Sequence, residues 1–169
     1  MGKFGKLALL FLVGTALFGG VYLVTSWGSA SLVTRAGEGK SAILFMMPSQ
    51  IQSLAGEEFS VDLKIDTAGQ AVGGIEVAVE YNPIFLQLAG KVIPGTAFDT
   101  FESESQSGQV TLRGVGGIMG QATVATLTFR GQRLSQGEVG IRADSIVWDE
   151  TRGKNILKNA SGVQVSISE

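Results

Sequence analysis

The chain has 169 residues, with 24 glycines, 3 prolines, no cysteine, no histidine and a formal charge of −2. That length holds one domain with an appendage. The missing residue types exclude disulfide scaffolds, thiol nucleophiles, serine–histidine triads and the usual zinc, iron–sulfur and transition-metal sites. With no basic run and a slight acidic excess, the chain also lacks the electrostatic footprint of a nucleic-acid binder.

From Leu7 to Trp27 no residue is charged, and after Lys6 the next charge is Arg35. About 20 apolar residues cross a hydrocarbon core, so residues 1–27 read as a cytoplasmic stub and a single-pass transmembrane signal-anchor. Tyr22 and Trp27 sit near its far end, where amphipathic rings favour the interface, and Lys3 and Lys6 hold the N-terminus inside. Gly28-Ser29-Ala30 offers the alternative of a cleaved signal peptide and a secreted domain after Ala30. Both readings export the rest of the chain, to an extracytoplasmic or cell-surface position. Residues 28–40, rich in Gly, Ser and Ala, read as a flexible stalk, and residues 41–169 as the folded domain.

Beyond the stalk the pattern is that of short strands. Ala42–Met46 is the first. Phe59–Asp66 alternates apolar and polar residues over its whole length, the period-2 signature of a strand with one wet face. Ile75–Tyr81 repeats it, and Asn82-Pro83 ends it with a turn. Leu86–Val92, Gln109–Val115, Thr123–Phe129, Val139–Ile146 and Val163–Ile167 follow, with no amphipathic helix of useful length between them. Many short strands and glycine-rich turns predict an all-β sandwich. Its inward residues are Phe59, Val61, Leu63, Ile65, Ile75, Val77, Val79, Tyr81, Val110, Leu112, Leu127, Phe129 and Ile141.

Four segments carry a family likeness. Ala55-Gly56-Glu57-Glu58-Phe59-Ser60-Val61-Asp62-Leu63 has the form of an opening strand. Ala71-Val72-Gly73-Gly74-Ile75-Glu76-Val77-Ala78-Val79-Glu80-Tyr81-Asn82-Pro83 has the Gly-Gly to Tyr-Asn-Pro hallmark. Val124-Ala125-Thr126-Leu127-Thr128-Phe129 and Gly162-Val163-Gln164-Val165-Ser166-Ile167 follow in the same order. Together they resemble the cohesin family, the modules that dock onto dockerin domains.

The resemblance implies a jelly-roll β-sandwich of about nine strands and a protein partner of the dockerin type. Any calcium would belong to the partner. It also implies a docking face on one sheet, formed by the third, fifth, sixth and eighth strands. The outward residues of the matching strands here are Glu76, Ala78 and Glu80, then Gln109, Thr111 and Arg113, then Arg142 and Asp144. The setting differs from the family's usual one, with a single module behind an anchor, so another surface or secreted protein stays open as partner. Some carbohydrate-binding modules share the sandwich.

Enzyme chemistry would have to rest on carboxylates. At about 3.3 Å per residue Glu76 and Glu80 stand about 13 Å apart, outside the roughly 5–5.5 Å or 6.5–9.5 Å of glycosidase pairs. Glu102 and Glu104 would be about 7 Å apart if extended, with nothing to bury them. Asp149–Asn155 is oxygen-rich, but Arg152 and Lys154 oppose a dication and the calcium-loop order is missing, so it reads as a solvated turn. No cofactor or metal site and no catalytic residue is expected. A carbohydrate platform would need Trp148 beside a second exposed ring, Phe98 or Phe101. Self-association as a surface or filament subunit, through sheet edges or the anchor, is the remaining class.

Overall fold

Where a strand is covered on one side only, period-2 alternation becomes one-sided burial. The computed structural model describes residues 41–151 and 153–169; the span and the stalk lie outside the described residues. Over the described residues the chain forms thirteen strands and no helix. They are β1 (Ala42–Met47), β2 (Gln50–Leu54), β3 (Glu58–Asp66), β4 (Val72–Glu80), β5 (Leu86–Leu88), β6 (Ile93–Pro94) and β7 (Thr100–Gln106). Then come β8 (Gln109–Ile118), β9 (Gln121–Gly131), β10 (Ser135–Ile141), β11 (Ile146–Asp149), β12 (Leu157–Ser161) and β13 (Val163–Ser168).

These make two sheets. A six-stranded sheet runs β12-β1-β3-β9-β5, with β6 also on β9. A seven-stranded sheet runs β2-β13-β10-β4-β8-β7, with β11 also on β4. The chain crosses from the first sheet to the second between β1 and β2, through a cis Met47–Pro48 bond.

The core is the set of inner faces. Val61, Leu63 and Ile65 of β3, with Leu127 and Phe129 of β9 beside them in the same sheet, face Val77 and Val79 of β4 and Val110 and Leu112 of β8, all fully buried. Each large apolar side chain so enclosed contributes about 1.5–3 kcal/mol relative to exposure. Phe129 is the centre of an aromatic group, 6.0 Å from the Phe59 ring and 5.1 Å edge-on from Tyr81. Every residue expected to face inward is buried or half-buried, the half-buried ones being Phe59, Tyr81 and Ile141.

The strand number corrects the expected nine. Part of the excess comes from division. Of Leu86–Val92 only Leu86–Leu88 is strand, because Gly90 at φ 78° turns the chain, and a further short strand, β6, begins just beyond it at Ile93. Val139–Ile146 is likewise split by a turn over residues 142–145. The other part is three strands without an apolar alternation: β2, β7 and β12. All three lie at sheet ends. An edge strand with little buried area leaves no hydrophobic period for the sequence to show.

Candidate docking face

The outer side of the seven-stranded sheet brings the eight expected residues together. β4 and β8 are antiparallel in a register that sets Glu76 opposite Arg113, Ala78 opposite Thr111 and Glu80 opposite Gln109. Six of the eight are therefore three cross-strand pairs on one face, spaced by the strand period. Arg142 and Asp144 stand in the turn between β10 and β11, which share the far edge of β4. β10 pairs with its end, Gly140 opposite Glu80, and β11 with its beginning, Ile146 opposite Glu76.

That turn is fastened to the middle of β4. The Arg142 N–H donates to the Ala78 carbonyl (2.9 Å) and the Ala78 N–H to Ser145 Oγ (3.2 Å). Ser145 is buried for this purpose. The Arg142 guanidinium grips Asp144 with two bonds, of 3.1 and 2.7 Å, and reaches Gln109 Oε1 at 3.2 Å. Since β4 lies between the turn and β8, this side chain crosses β4, and the short Ala78 side chain leaves room for it. Gln109 in turn donates to Thr111 Oγ1 (3.3 Å). Arg113 meets Glu76 at 3.4 Å, both about half exposed, a pair of little energetic weight by itself.

Both arginines are thus engaged with carboxylates of their own face. The sequence reading missed the residues that extend the face beyond these eight. β7 adds Glu102 opposite Arg113, Glu104 opposite Thr111 and Gln106 opposite Gln109. The alternation Glu102-Ser-Glu104-Ser-Gln106 was the available signal. At the other end Trp148 pairs with Gly74, which faces Val115, 62% exposed, and then Thr100.

The face therefore holds six carboxylates, Glu76, Glu80, Glu102, Glu104, Glu138 and Asp144, against the two arginines. On the outer side of the other sheet, β3 and β9 present Glu58, Asp62 and Asp66 against Lys64 and Arg130. The acidic excess belongs to one face, not to the molecule at large. A shallow concavity of about 760 Å³ lies at the Glu80 end, beside Glu138 and Gly140.

Other expected features are placed elsewhere. Phe98 and Phe101 are half-buried and pack against the core, Phe98 covering Gly114 from within. Among the described residues the ring contacts are those of Phe129 alone, so Trp148 has no aromatic neighbour and the sugar platform is not assembled. Asp149 is buried and accepts the Lys154 N–H, while Asn155 Oδ1 accepts from Val147 and Leu157 N–H groups. The turn is solvated as expected, its described residues all exposed except Asp149, and two of its polar side chains serve the backbone. Among the described residues no three carboxylates form a cluster fit for a metal.

No family model and no curated protein matches the chain. Solved structures do. The cohesin CohA2 of Clostridium acetobutylicum aligns with a TM-score of 0.65 at 20% identity, over 76% of this chain and 92% of that one. The non-cellulosomal cohesin of Archaeoglobus fulgidus gives 0.63 at 18%, over 76% and 92%. A type I cohesin–dockerin complex of Clostridium thermocellum gives 0.64 at 17%, over 76% and 94%.

The domain has a cohesin-like fold. At these identities the likeness is one of architecture, and it covers nearly all of each cohesin. The expected family resemblance in fold is met by the two sheets described above.

Proposed function

We propose that this chain is a non-catalytic binding module. It is held outside the cytoplasm by residues 1–27, and it displays the outer face of its seven-stranded sheet to a dockerin-type or other surface or secreted protein. The observation that carries this reading is the register of β4 on β8. It gathers six of the eight residues chosen from a family resemblance into three cross-strand pairs on one charged face. Shallow polar faces with arginine and an apolar end suit a protein partner better than a small molecule.

The charge of the face sets the partner's chemistry. With its arginines already paired and four further carboxylates present, it favours a basic surface, which it would draw in by long-range attraction. Cohesins of this fold have been solved with dockerins bound, which supports the dockerin class. Calcium, if required, would reside in the partner.

The test is calorimetric titration of the full-length chain, in mild detergent, with a panel of dockerin domains in calcium and in chelator. One-to-one binding that needs calcium is the expected result. Silence across the panel removes the dockerin reading and leaves the fold unaffected.

A further inference from the structure

The open strand edges of the sandwich are unequally protected. Exposed edges are blunted in native proteins by charge, by proline or by brevity. β7 carries Glu102 and Glu104; β5 and β6 are three and two residues long, and β6 ends at Pro94; β12 carries Lys158. β2, Gln50-Ile51-Gln52-Ser53-Leu54, has no charge and no proline, and among the described residues no strand lies on its outer side.

Two hydrogen bonds show which of its backbone groups are spent. The Gln164 N–H donates to the Ser49 carbonyl (3.0 Å) and the Ala55 N–H to the Ser168 carbonyl (2.9 Å). In a parallel ladder alternate residues bond the same neighbour, so Ser49, Ile51, Ser53 and Ala55 face β13. The N–H and C=O of Gln50 and Gln52 point to the open side. The Leu54 carbonyl is taken by the Glu57 N–H at 3.1 Å.

We infer that β2 pairs antiparallel with β2 of a second copy of this chain, Gln50 opposite the second copy's Gln52, across a dyad at Ile51. In this register the free groups of Gln50 and Gln52 satisfy each other in four hydrogen bonds, and the spent Leu54 carbonyl is not called on. The glutamine side chains lie on one face, amide against amide, and exposed Leu54 meets the second copy's exposed Pro48, where the missing N–H ends the ladder. The occupant is a copy because the edge is self-complementary: it is uncharged, and Gln164 and Ser166 beside it are uncharged too. The acidic β7 edge, by contrast, would repel its own copy. β2 is at the opposite end of the sheet from β7 and β8, so the pairing is independent of docking. Five residues bury far less than the roughly 1,200 Å² of a stable interface, so the dimer is weak and concentration-dependent.

The chain's lack of cysteine permits a direct test by disulfide trapping in the full-length protein. A dyad at Ile51 puts the two copies of that residue in a non-hydrogen-bonded pair about 4.5 Å apart at Cα, within disulfide reach. Ile51→Cys is expected to oxidise to a dimer several-fold faster than Ser103→Cys on β7, and Gln52→Pro added to it should abolish the advantage. The exposed Gln50→Cys and Gln52→Cys chains, mixed, should form heterodimers in preference to either homodimer. Equal rates for Ile51→Cys and Ser103→Cys, or random pairing in the mixture, would overturn the inference, including any case where association runs through residues 1–27 instead.

Discussion

The indole of Trp148 lies against the bare backbone of Gly74: a Cβ on Gly74 would stand 3.4 Å from indole Cε3 and 2.9 Å from the Gly114 carbonyl oxygen. Trp148 can shift, but the carbonyl belongs to the β8 ladder and cannot. Gly74→Ala is therefore expected to cost about 1–3 kcal/mol, as overpacking does, and to change the Trp148 emission. Chemical denaturation followed by tryptophan fluorescence reads both. Unaltered stability and emission would mean that the indole does not occupy this end of the face.

Charge on β7 should govern the rate at which a partner arrives. Glu102 and Glu104 are exposed on an edge strand, so Glu102→Lys with Glu104→Lys leaves the core untouched. Against a basic partner, stopped-flow association at low salt should slow by about tenfold or more, with little change in dissociation. The salt dependence should flatten as well. Faster association in the variant would mean that the partner surface is acidic.

The aromatic group around Phe129 holds the two sheets together. Phe129 is fully buried and touches Phe59 and Tyr81, so Phe129→Ala should lose about 3–5 kcal/mol through transfer and cavity terms. Urea denaturation provides the value, and a loss under 1 kcal/mol, on the order of a surface change, would contradict the packing described.

Asp66 makes a small acid-sensitive contribution on the other sheet. Its carboxylate accepts from the Gln121 side chain (2.7 Å) and from the Ala68 N–H (2.8 Å), and these bonds, Gln121 first, hold its pKa below the ordinary value. A lowered native pKa stabilises the fold above the unfolded value and loses that contribution as pH falls through the native one. The stability advantage of the wild type over Asp66→Ala should accordingly be constant near neutrality and shrink below about pH 4. Denaturation curves across that range test it, and an advantage that grows on acidification would reverse the sign.

What the sequence revealed followed burial. β3, β4, β8 and β9 are covered on one face, and their alternation named the core down to Phe129. β2, β7 and β12 are edges that lay only one or two apolar side chains each on the core, such as Ile51, Phe101 and Leu157, too few to set a period. For the same reason Glu76, Glu80, Arg113 and their neighbours were legible as outward positions, whereas Glu102, Glu104 and Trp148 joined them only through pairing. The engagement of Arg142 with Asp144 and Gln109 depends on the turn that divides β10 from β11, and no local pattern announces that turn.

Docking on this face is tested most directly by hydrogen exchange in the full-length chain, alone and saturated with a bound dockerin. Slowed exchange is expected along β4, β7 and β8 and in the turn over residues 142–145, with β1, β3 and β9 unchanged. Protection on β1, β3 and β9 instead, with β4 and β8 exchanging as before, would place the partner on the opposite sheet and contradict the account.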